Sequence, residues 1–453
     1  MKVYDNYYFI GIGGIGMSAI ARFFKHAGHN VSGYDRTPSP LTAQLESEGI
    51  AIHYEDRPDL IPDDVENTFV IYTPAVPADL GEMRKAFSGG YAICKRSRAL
   101  GEIARNQKCL AVAGTHGKTT TSTLLAHILT ASGEGCNAFL GGISKNYDTN
   151  LLLSKNRVLV AEADEFDRSF LQLFPYIAVI TATDADHLDI YSDHAHVVEA
   201  FGEFASQVSK DGALVIKQGV EVPLGKVSAK VYRYSYDTPC DFYAADITPL
   251  EGGYFDFTLV HPSGRIPHCK VGVPGWVNIE NAVAASAVAL LHGVSPEALR
   301  DALASFSGVK RRFDIHVNTP ECAYIDDYAH HPNEIRAAIG SIRNIFPGRR
   351  LCGIFQPHLY TRTRDFADDF ADALGGLDEL IMLPIYPARE LPIEGVNSEM
   401  ILDKVKCSDK VLVEKEKLME TLRSRRIDCL VTFGAGDIDR FIQPIEEYLR
   451  TIC

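Results

Sequence analysis

The stretch with the clearest chemistry runs from Leu110 to Leu125. Leu110-Ala111-Val112-Ala113 reads as a short buried strand, and Gly114-Thr115-His116-Gly117-Lys118-Thr119-Thr120 follows at once. A helical pattern then continues through Leu124, Leu125, Ile128 and Leu129. Strand, glycine-rich turn and helix in that order make a phosphate cradle. Glycines let backbone N–H groups converge on phosphate oxygens, and the amino end of the helix adds partial positive charge at the same point. In such a cradle Lys118 reaches the β- and γ-phosphates and the Thr119 hydroxyl ligates Mg²⁺. The general pattern has a further glycine ahead of the loop; here Val112 and Ala113 continue the strand, so the loop is shorter. The competing reading is a plain strand–helix turn, with Lys118 as a solvated charge.

A second glycine loop lies near the start. Tyr7 to Ile10 is an apolar strand, and Gly11-Ile12-Gly13-Gly14-Ile15-Gly16 opens a helix through Ile20 and Phe24. Val31 to Tyr34 is the next strand and ends at Asp35. This is the dinucleotide-type βαβ layout, with an acidic residue about 20 residues downstream in the usual ribose-binding place. Such a loop binds a diphosphate through backbone N–H groups, and NAD and nucleotide-sugars both contain one. The loop alone therefore leaves a nicotinamide-dependent oxidoreductase open. Thr68 to Tyr72 is a further strand ending in Thr73-Pro74-Ala75, and Ser97 to Asn106 reads as a helical connector.

The elements that must position these loops alternate between strand and helix. Arg157 to Ala161 leads into Glu162-Ala163-Asp164-Glu165-Phe166-Asp167, and Ile177 to Thr181 into Asp184-Ala185-Asp186-His187-Leu188-Asp189. Carboxylates just past parallel strands sit on the ligand side of an α/β sheet. There they can hold Mg²⁺, which takes one or two protein oxygens beside water and substrate phosphate. Glu162 and His187, one at each strand end, are the functional choices; the remaining acids read as solvated loop. From Ala213 to Lys270 the pattern is β-rich, and Asn278 to Leu291 is a small-residue helix containing Asn281. Phe306 to Asp314 makes a hinge. Alternation resumes with Tyr324-Ile325 into Asp326-Asp327-Tyr328-Ala329-His330-His331-Pro332, Arg350 to Phe355 into Gln356-Pro357-His358, Leu380 to Leu383, and Cys429 to Phe433.

These patterns predict an α/β fold of three domains. Residues 1–107 form an N-terminal Rossmann-like domain, 108–313 a central P-loop ATPase-type domain with a mostly parallel sheet, and 314–453 a C-terminal Rossmann-like domain. A chain of 453 residues suits that number at about 150 residues each. The net charge of −14 argues against wholesale nucleic-acid binding, so anions must be met locally, with Lys310-Arg311-Arg312 and Arg362/Arg364 as basic spots. No apolar run is long enough for a bilayer and no signal-peptide layout opens the chain, which predicts a cytoplasmic protein without membrane contact. The ten cysteines show no Cys-x-x-Cys pair, so neither a zinc ribbon nor a disulfide framework is expected.

The combination is more specific than its parts. Gly-Thr-His-Gly-Lys-Thr, Glu-Ala-Asp-Glu, Asp-His-Leu-Asp, Gly-Val-Lys-Arg-Arg-Phe-Asp, Asp-Tyr-Ala-His-His-Pro and Gln-Pro-His, in this order, resemble the Mur ligases over nearly the full length. The resemblance implies an ATP- and Mg²⁺-dependent enzyme of peptidoglycan synthesis that joins L-alanine to the carboxylate of UDP-N-acetylmuramate through an acyl phosphate, as a monomer or weak homodimer. It places the sugar nucleotide on Gly11, Gly13, Gly14, Ile15, Gly16, Asp35 and Thr73, with His358. It places ATP on Gly114 to Thr120, Asn281, Arg312, Asp327 and Tyr328, and Mg²⁺ on Thr119, Glu162 and His187. Lys118, His187, His330 and Arg362 become the catalytic set. The family pattern usually has histidine where Val277 stands, a basic residue where Leu359 follows the Gln-Pro-His, and Asn-Ile-Glu where Ala182-Thr183-Asp184 stands. Several relatives use a carbamylated lysine downstream of the metal histidine, but residues 191–208 contain no lysine. Rival readings are an ATP-driven switch that makes no amide, a ligase that takes a preformed peptide as its amine, and a folylpolyglutamate synthetase, which lacks the N-terminal sugar-nucleotide domain.

Overall fold

A computed structural model describes residues 2–184, 191, 193–388 and 390–453. Three sheets carry the described residues. The first contains β1 (Asn6–Ile10), β2 (Asn30–Tyr34), β3 (Ala51–His53), β4 (Thr68–Tyr72) and β5 (Ala92–Lys95), in the order β3-β2-β1-β4-β5 and parallel throughout. Tyr8, Phe9 and Ile10 are fully buried, as a central parallel strand requires when both faces are covered. Helices α1 (Ile15–His26), α2 (Pro40–Ser47), α3 (Gly81–Ser88) and α4 (Arg96–Ala104) make the crossovers and connectors. Ser39 starts α2 with a capping box to Thr42, and Pro40 follows at the first helical position.

The second sheet has ten strands: β6 (Lys108–Ala113), β7 (Asn137–Ser144), β8 (Thr149–Leu152), β9 (Val158–Ala163), β10 (Ile177–Ile180), β11 (Ala213–Lys217), β12 (Lys230–Ser235), β13 (Phe242–Pro249), β14 (Phe255–His261) and β15 (Gly264–Lys270). Their order is β15-β14-β13-β12-β11-β10-β6-β9-β7-β8. β6 lies parallel between β10 and β9, and it feeds α5 (Lys118–Ala131). The strand path leaves β6 to one side first and to the other later, which puts a topological switch point at its carboxyl end. The first sheet does the same at β1, between β2 and β4.

The third sheet contains β16 (Asp314–Asn318), β17 (Ala323–Asp327), β18 (Leu351–Phe355), β19 (Glu379–Met382), β20 (Asp409–Leu412) and β21 (Cys429–Phe433), ordered β16-β17-β21-β18-β19-β20. Only β16 runs antiparallel. The result is the three-domain α/β architecture with mostly parallel sheets.

Contacts divide the chain into two compact units. One is Met1–Thr248, Asp256–Gly272 and Ile279–Ser307; the other is Pro249–Phe255, Val273–Asn278 and Gly308–Cys453. Within the first unit a single apolar cluster joins both sheets, from Tyr7 and Phe9 through Phe139 and Leu159 to Phe201. Polar pinning accompanies it: Asn150 on β8, fully buried, donates to Ile15 O at 2.6 Å and Ser18 Oγ at 3.0 Å on α1.

One expectation fails. Cys322 and Cys453 are joined by a disulfide, with Cα atoms 6.0 Å apart. The pair is 131 residues apart in sequence, so only the return of the C-terminal helix (Ile442–Ile452) beside the start of β17 brings the sulfurs together. The other cysteines are free, and all but Cys240 are buried.

Candidate active site

The phosphate loop closes over the carboxyl end of β6. Gly117 caps α5 at φ 77°, a left-handed conformation that glycine adopts without penalty, and a Cβ there would lie 2.9 Å from Asn281 Oδ1. Asn281, in the helix Trp276–His292, therefore stands against the loop, and it also accepts a hydrogen bond from Thr121 Oγ1 at 3.2 Å. Thr115 and His116 are held by the segment after β10. Thr115 N donates to Ala182 O at 3.1 Å, and His116 Nε2 lies 3.3 Å from Asp184 Oδ2. The hydrogen bond from His116 holds the Asp184 carboxyl below its ordinary range.

Lys118 folds back along its own loop. Its Nζ donates to Gly114 O at 2.6 Å and sits 2.9 and 2.7 Å from the two oxygens of Glu165, whose side chain is 2% exposed. Burial works against the lysine charge, yet Glu165, Asp164 and Glu162 together hold its pKa above the ordinary value. The ammonium is thus charged, held against Glu165 at the start of α5. Glu165, which sequence reasoning left among the solvated acids, is instead buried against Lys118. The Glu-Ala-Asp-Glu run held the signal, but which carboxylate turns inward depends on where β9 ends.

Glu162 and Thr119 meet as expected. Thr119 Oγ1 donates to Glu162 Oε1 at 3.1 Å, while Gly141 N donates to Oε2 at 3.1 Å. Two hard oxygens at the foot of a phosphate loop fit a Mg²⁺ that keeps most of its shell for water and phosphate. His187, the third expected ligand, lies outside the described residues. Among the described residues no group of three or more histidine, cysteine or acidic side chains is arranged to hold a metal.

The first glycine loop stands at the carboxyl end of β1. Gly11 is packed beside Thr73 just beyond β4: a Cβ on Gly11 would lie 2.5 Å from Thr73 Cγ2. Asp35 is here too, but its carboxylate serves the loop itself, accepting from Gly13 N at 2.7 Å and Thr37 N at 3.1 Å. Gly14 caps α1 and Ile15 begins it, so Gly16 lies in the first turn.

The remaining expected residues gather in the second unit, at the carboxyl edge of the third sheet. Arg312 lies over the Tyr328 ring with its guanidinium carbon 4.8 Å from the centroid. Its neighbour Arg311 is committed to structure, through Asp326 Oδ2 at 3.1 Å and Gly434 O at 2.7 Å. Asp327 accepts from Phe313 N at 3.0 Å and Ala329 N at 2.8 Å; burial pushes its carboxyl up to about 7, against the pull of Arg312. His330 donates from Nδ1 to Tyr328 O at 3.0 Å, leaving Nε2 as an acceptor. Burial takes the His330 pKa down to about 4; Glu334 opposes this and Arg362 adds to it. The His358 ring lies 5.9 Å from His330 and 5.8 Å from Tyr386. Arg362, 8% exposed, completes the cluster. Leu359, where a basic residue was usual, is buried at φ 70° and donates its amide to Tyr386 O. Val277 is exposed.

Comparison with known proteins gives relatives along the whole chain. The chain matches models for the "Mur ligase family, catalytic domain" at residues 6–108, the "Mur ligase middle domain" at 112–289 and the "Mur ligase, glutamate ligase domain" at 311–436. It is 51% identical to the UDP-N-acetylmuramate–L-alanine ligase of Porphyromonas gingivalis, with 98% of this chain and 99% of that one covered. For the enzyme of the same name from Parabacteroides distasonis the identity is 52%, with 98% and 96% covered. Among solved structures, the UDP-N-acetylmuramate–alanine ligase of Thermotoga maritima aligns at TM-score 0.82 and 29% identity, covering 99% of this chain and 100% of that one. A murein peptide ligase of Psychrobacter arcticus shares the fold at TM-score 0.73 and 23% identity, with 98% of each chain covered. Likeness of this degree along the whole sequence admits one assignment: the chain belongs to the Mur ligase family.

Proposed function

We propose that this protein is an ATP-dependent ligase that joins the amino group of L-alanine to the carboxylate of UDP-N-acetylmuramate, a step of peptidoglycan precursor synthesis. The observation that carries the reading is the presence of two glycine turns on separate sheets of one unit, only one of which contains a half-buried, charge-paired lysine. A ligase of this kind needs both: one loop to present a nucleotide-linked acid, the other to deliver a phosphoryl group to it. The division of labour proposed is 1–107 for the sugar nucleotide, 108–313 for ATP and 314–453 for the remaining anion and amine contacts.

The chemistry follows from the residues. A carboxylate is a poor electrophile until phosphorylated, and two anions meet only where cations screen them. Lys118 supplies one fixed positive charge at the γ-phosphate position. Mg²⁺ at Thr119 and Glu162 would supply Lewis-acid neutralisation of the phosphate oxygens. In the second unit Arg312 and Arg362 are the cations, and neutral His330 presents Nε2 as a proton acceptor for an attacking amine. No helix among the described residues is long and apolar enough to cross a membrane, and the substrates proposed are those of the cytoplasm.

The test is a coupled assay with UDP-N-acetylmuramate, ATP and Mg²⁺, offering L-alanine, other amino acids and a preformed peptide in turn. Release of ADP and phosphate dependent on L-alanine, with the amide product identified by mass, is expected. Phosphate release without any amide would identify a switch instead, and preference for the peptide would reassign the amine.

A further inference from the structure

The first unit holds a pair of cations that lies outside both glycine loops in sequence. Lys95 and Arg96, at the junction of β5 and α4, reach the chain just past β9. Lys95 Nζ is 2.6 Å from Asp167 Oδ2, and Arg96 Nη2 donates to Asp164 Oδ2 at 2.9 Å. Asp164 stands between Glu162, the partner of Thr119, and Glu165, the partner of Lys118. The segment that Arg96 grips is therefore the wall of the phosphate loop. That segment is tightly constrained, since Asp167 and Arg168 hold φ of 52° and 53°, left-handed values that non-glycine residues keep only where their surroundings fix them. The same guanidinium also leans on the amino end of α1, where a Cβ built on Gly16 would fall 2.6 Å from Nη1. Arg96 and Asp164 side chains remain 22% and 33% exposed, so ligands on either side can reach them.

We propose that Arg96 is a positioning residue shared between the two nucleotide sites: tied to Asp164 in the arrangement seen here, it is released toward the diphosphate at the first glycine loop once Asp164 turns to the cation that accompanies nucleotide at the second. This rests on the reading of Gly11 to Gly16 as the sugar-nucleotide loop. One nitrogen edge of a guanidinium pairs bidentately with one anion at a time, and Asp164 occupies Nη2 of Arg96. Occupation of the phosphate loop should therefore tighten binding of the sugar nucleotide, and by linkage the reverse holds with the same factor. The assignment was not legible in the sequence, because Arg96 and Asp164 are 68 residues apart.

Isothermal titration of the full chain with UDP-N-acetylmuramate, alone and then with Mg²⁺ and a non-hydrolysable ATP analogue, decides the matter. The wild type should bind at least about fivefold tighter with the analogue, the lower end of ordinary coupling. Asp164→Asn releases Arg96 permanently, so its Kd without analogue should fall toward the coupled wild-type value and the ratio should shrink to within about twofold. Arg96→Lys keeps the charge but not the fork; it should bind weakly in both conditions, with the ratio lost. A tie that merely holds the fold predicts weaker binding for Asp164→Asn, and that result overturns the proposal, as does an unchanged ratio in both variants. A wild-type chain that binds no UDP-N-acetylmuramate under either condition instead overturns the sugar-nucleotide reading on which the proposal stands.

Discussion

The two glycine loops share a strand–turn–helix frame but hold their ligand side differently. In the first, the loop is braced by its own chain: Asp35 takes the Gly13 amide, and Thr73 and Arg96 crowd Gly11 and Gly16. In the second, the brace is electrostatic. Lys118 is set against the buried carboxylate of Glu165, Thr119 against the half-buried one of Glu162. The difference teaches that a glycine loop alone reports only that a backbone can approach phosphate; the charged groups behind it decide whether phosphate is held or transferred.

The largest expected effect breaks the second loop. Lys118→Ala should lower amide formation by about 10²–10³, the loss seen when a preorganised transition-state donor is removed, while thermal stabilisation by UDP-N-acetylmuramate persists. Near-normal turnover would remove the phosphate-loop assignment.

Gly13→Val breaks the first loop. The added Cβ meets Asp35 Oδ2 and Thr42 Cγ2, each 2.8 Å away. The variant should lose protection by the sugar nucleotide, which for the wild type reaches about 2.7 kcal/mol at 100-fold excess over Kd. ATP binding should survive. Melting curves that show NAD protecting the wild type, with no effect of the UDP-sugar, would make this loop a nicotinamide site.

A smaller change separates Lys118 from its metal-side neighbours. Glu162→Gln keeps size and one acceptor but loses the charge, so the Mg²⁺ concentration for half-maximal rate should rise about 10-fold or more. An unshifted Mg²⁺ titration returns Glu162 to a structural role beside Gly141.

A pH-dependent effect extends the comparison to the second unit, where the notable charge is one that burial suppresses. His330 has a folded pKa of about 4 against an ordinary 6.5. The unfolded chain therefore binds the proton first, so the His330 contribution to stability is complete above 6.5 and declines as pH falls toward 4, at about 1.4 kcal/mol per pH unit. Asp327, raised from 3.8 to about 7, acts with opposite sign across most of that window. Because both proteins carry Asp327, the difference between wild type and His330→Asn isolates the histidine. Denaturant melts from pH 7 to 4 should show the variant losing less stability; parallel curves refute the assignment.

The fold was legible where burial and period agreed. Thr68–Tyr72 and Cys429–Phe433 are strands with the bounds their apolar runs suggest. β7 was not legible, because Gly141 and Gly142 interrupt its pattern, nor was β5, a four-residue strand ending in lysine. At the site, the phosphate loop could be read because its chemistry is contiguous. Glu165 could not, since its pairing with Lys118 spans 47 residues and depends on β9 lying beside β6. Likewise nothing in the contiguous run Lys310-Arg311-Arg312 separates its two arginines; the structure shows Arg311 spent on Asp326 and Gly434.

The Cys322–Cys453 bond has a topological consequence. It runs from the start of β17 to Cys453, 131 residues further on, and closes the chain between them into a covalent ring that contains β17 to β21. A protease cut in any loop of that ring would leave one molecule instead of two fragments, which would part on a gel only after a thiol is added. While the bond is intact, the final helix cannot peel away from the sheet without carrying β17 with it.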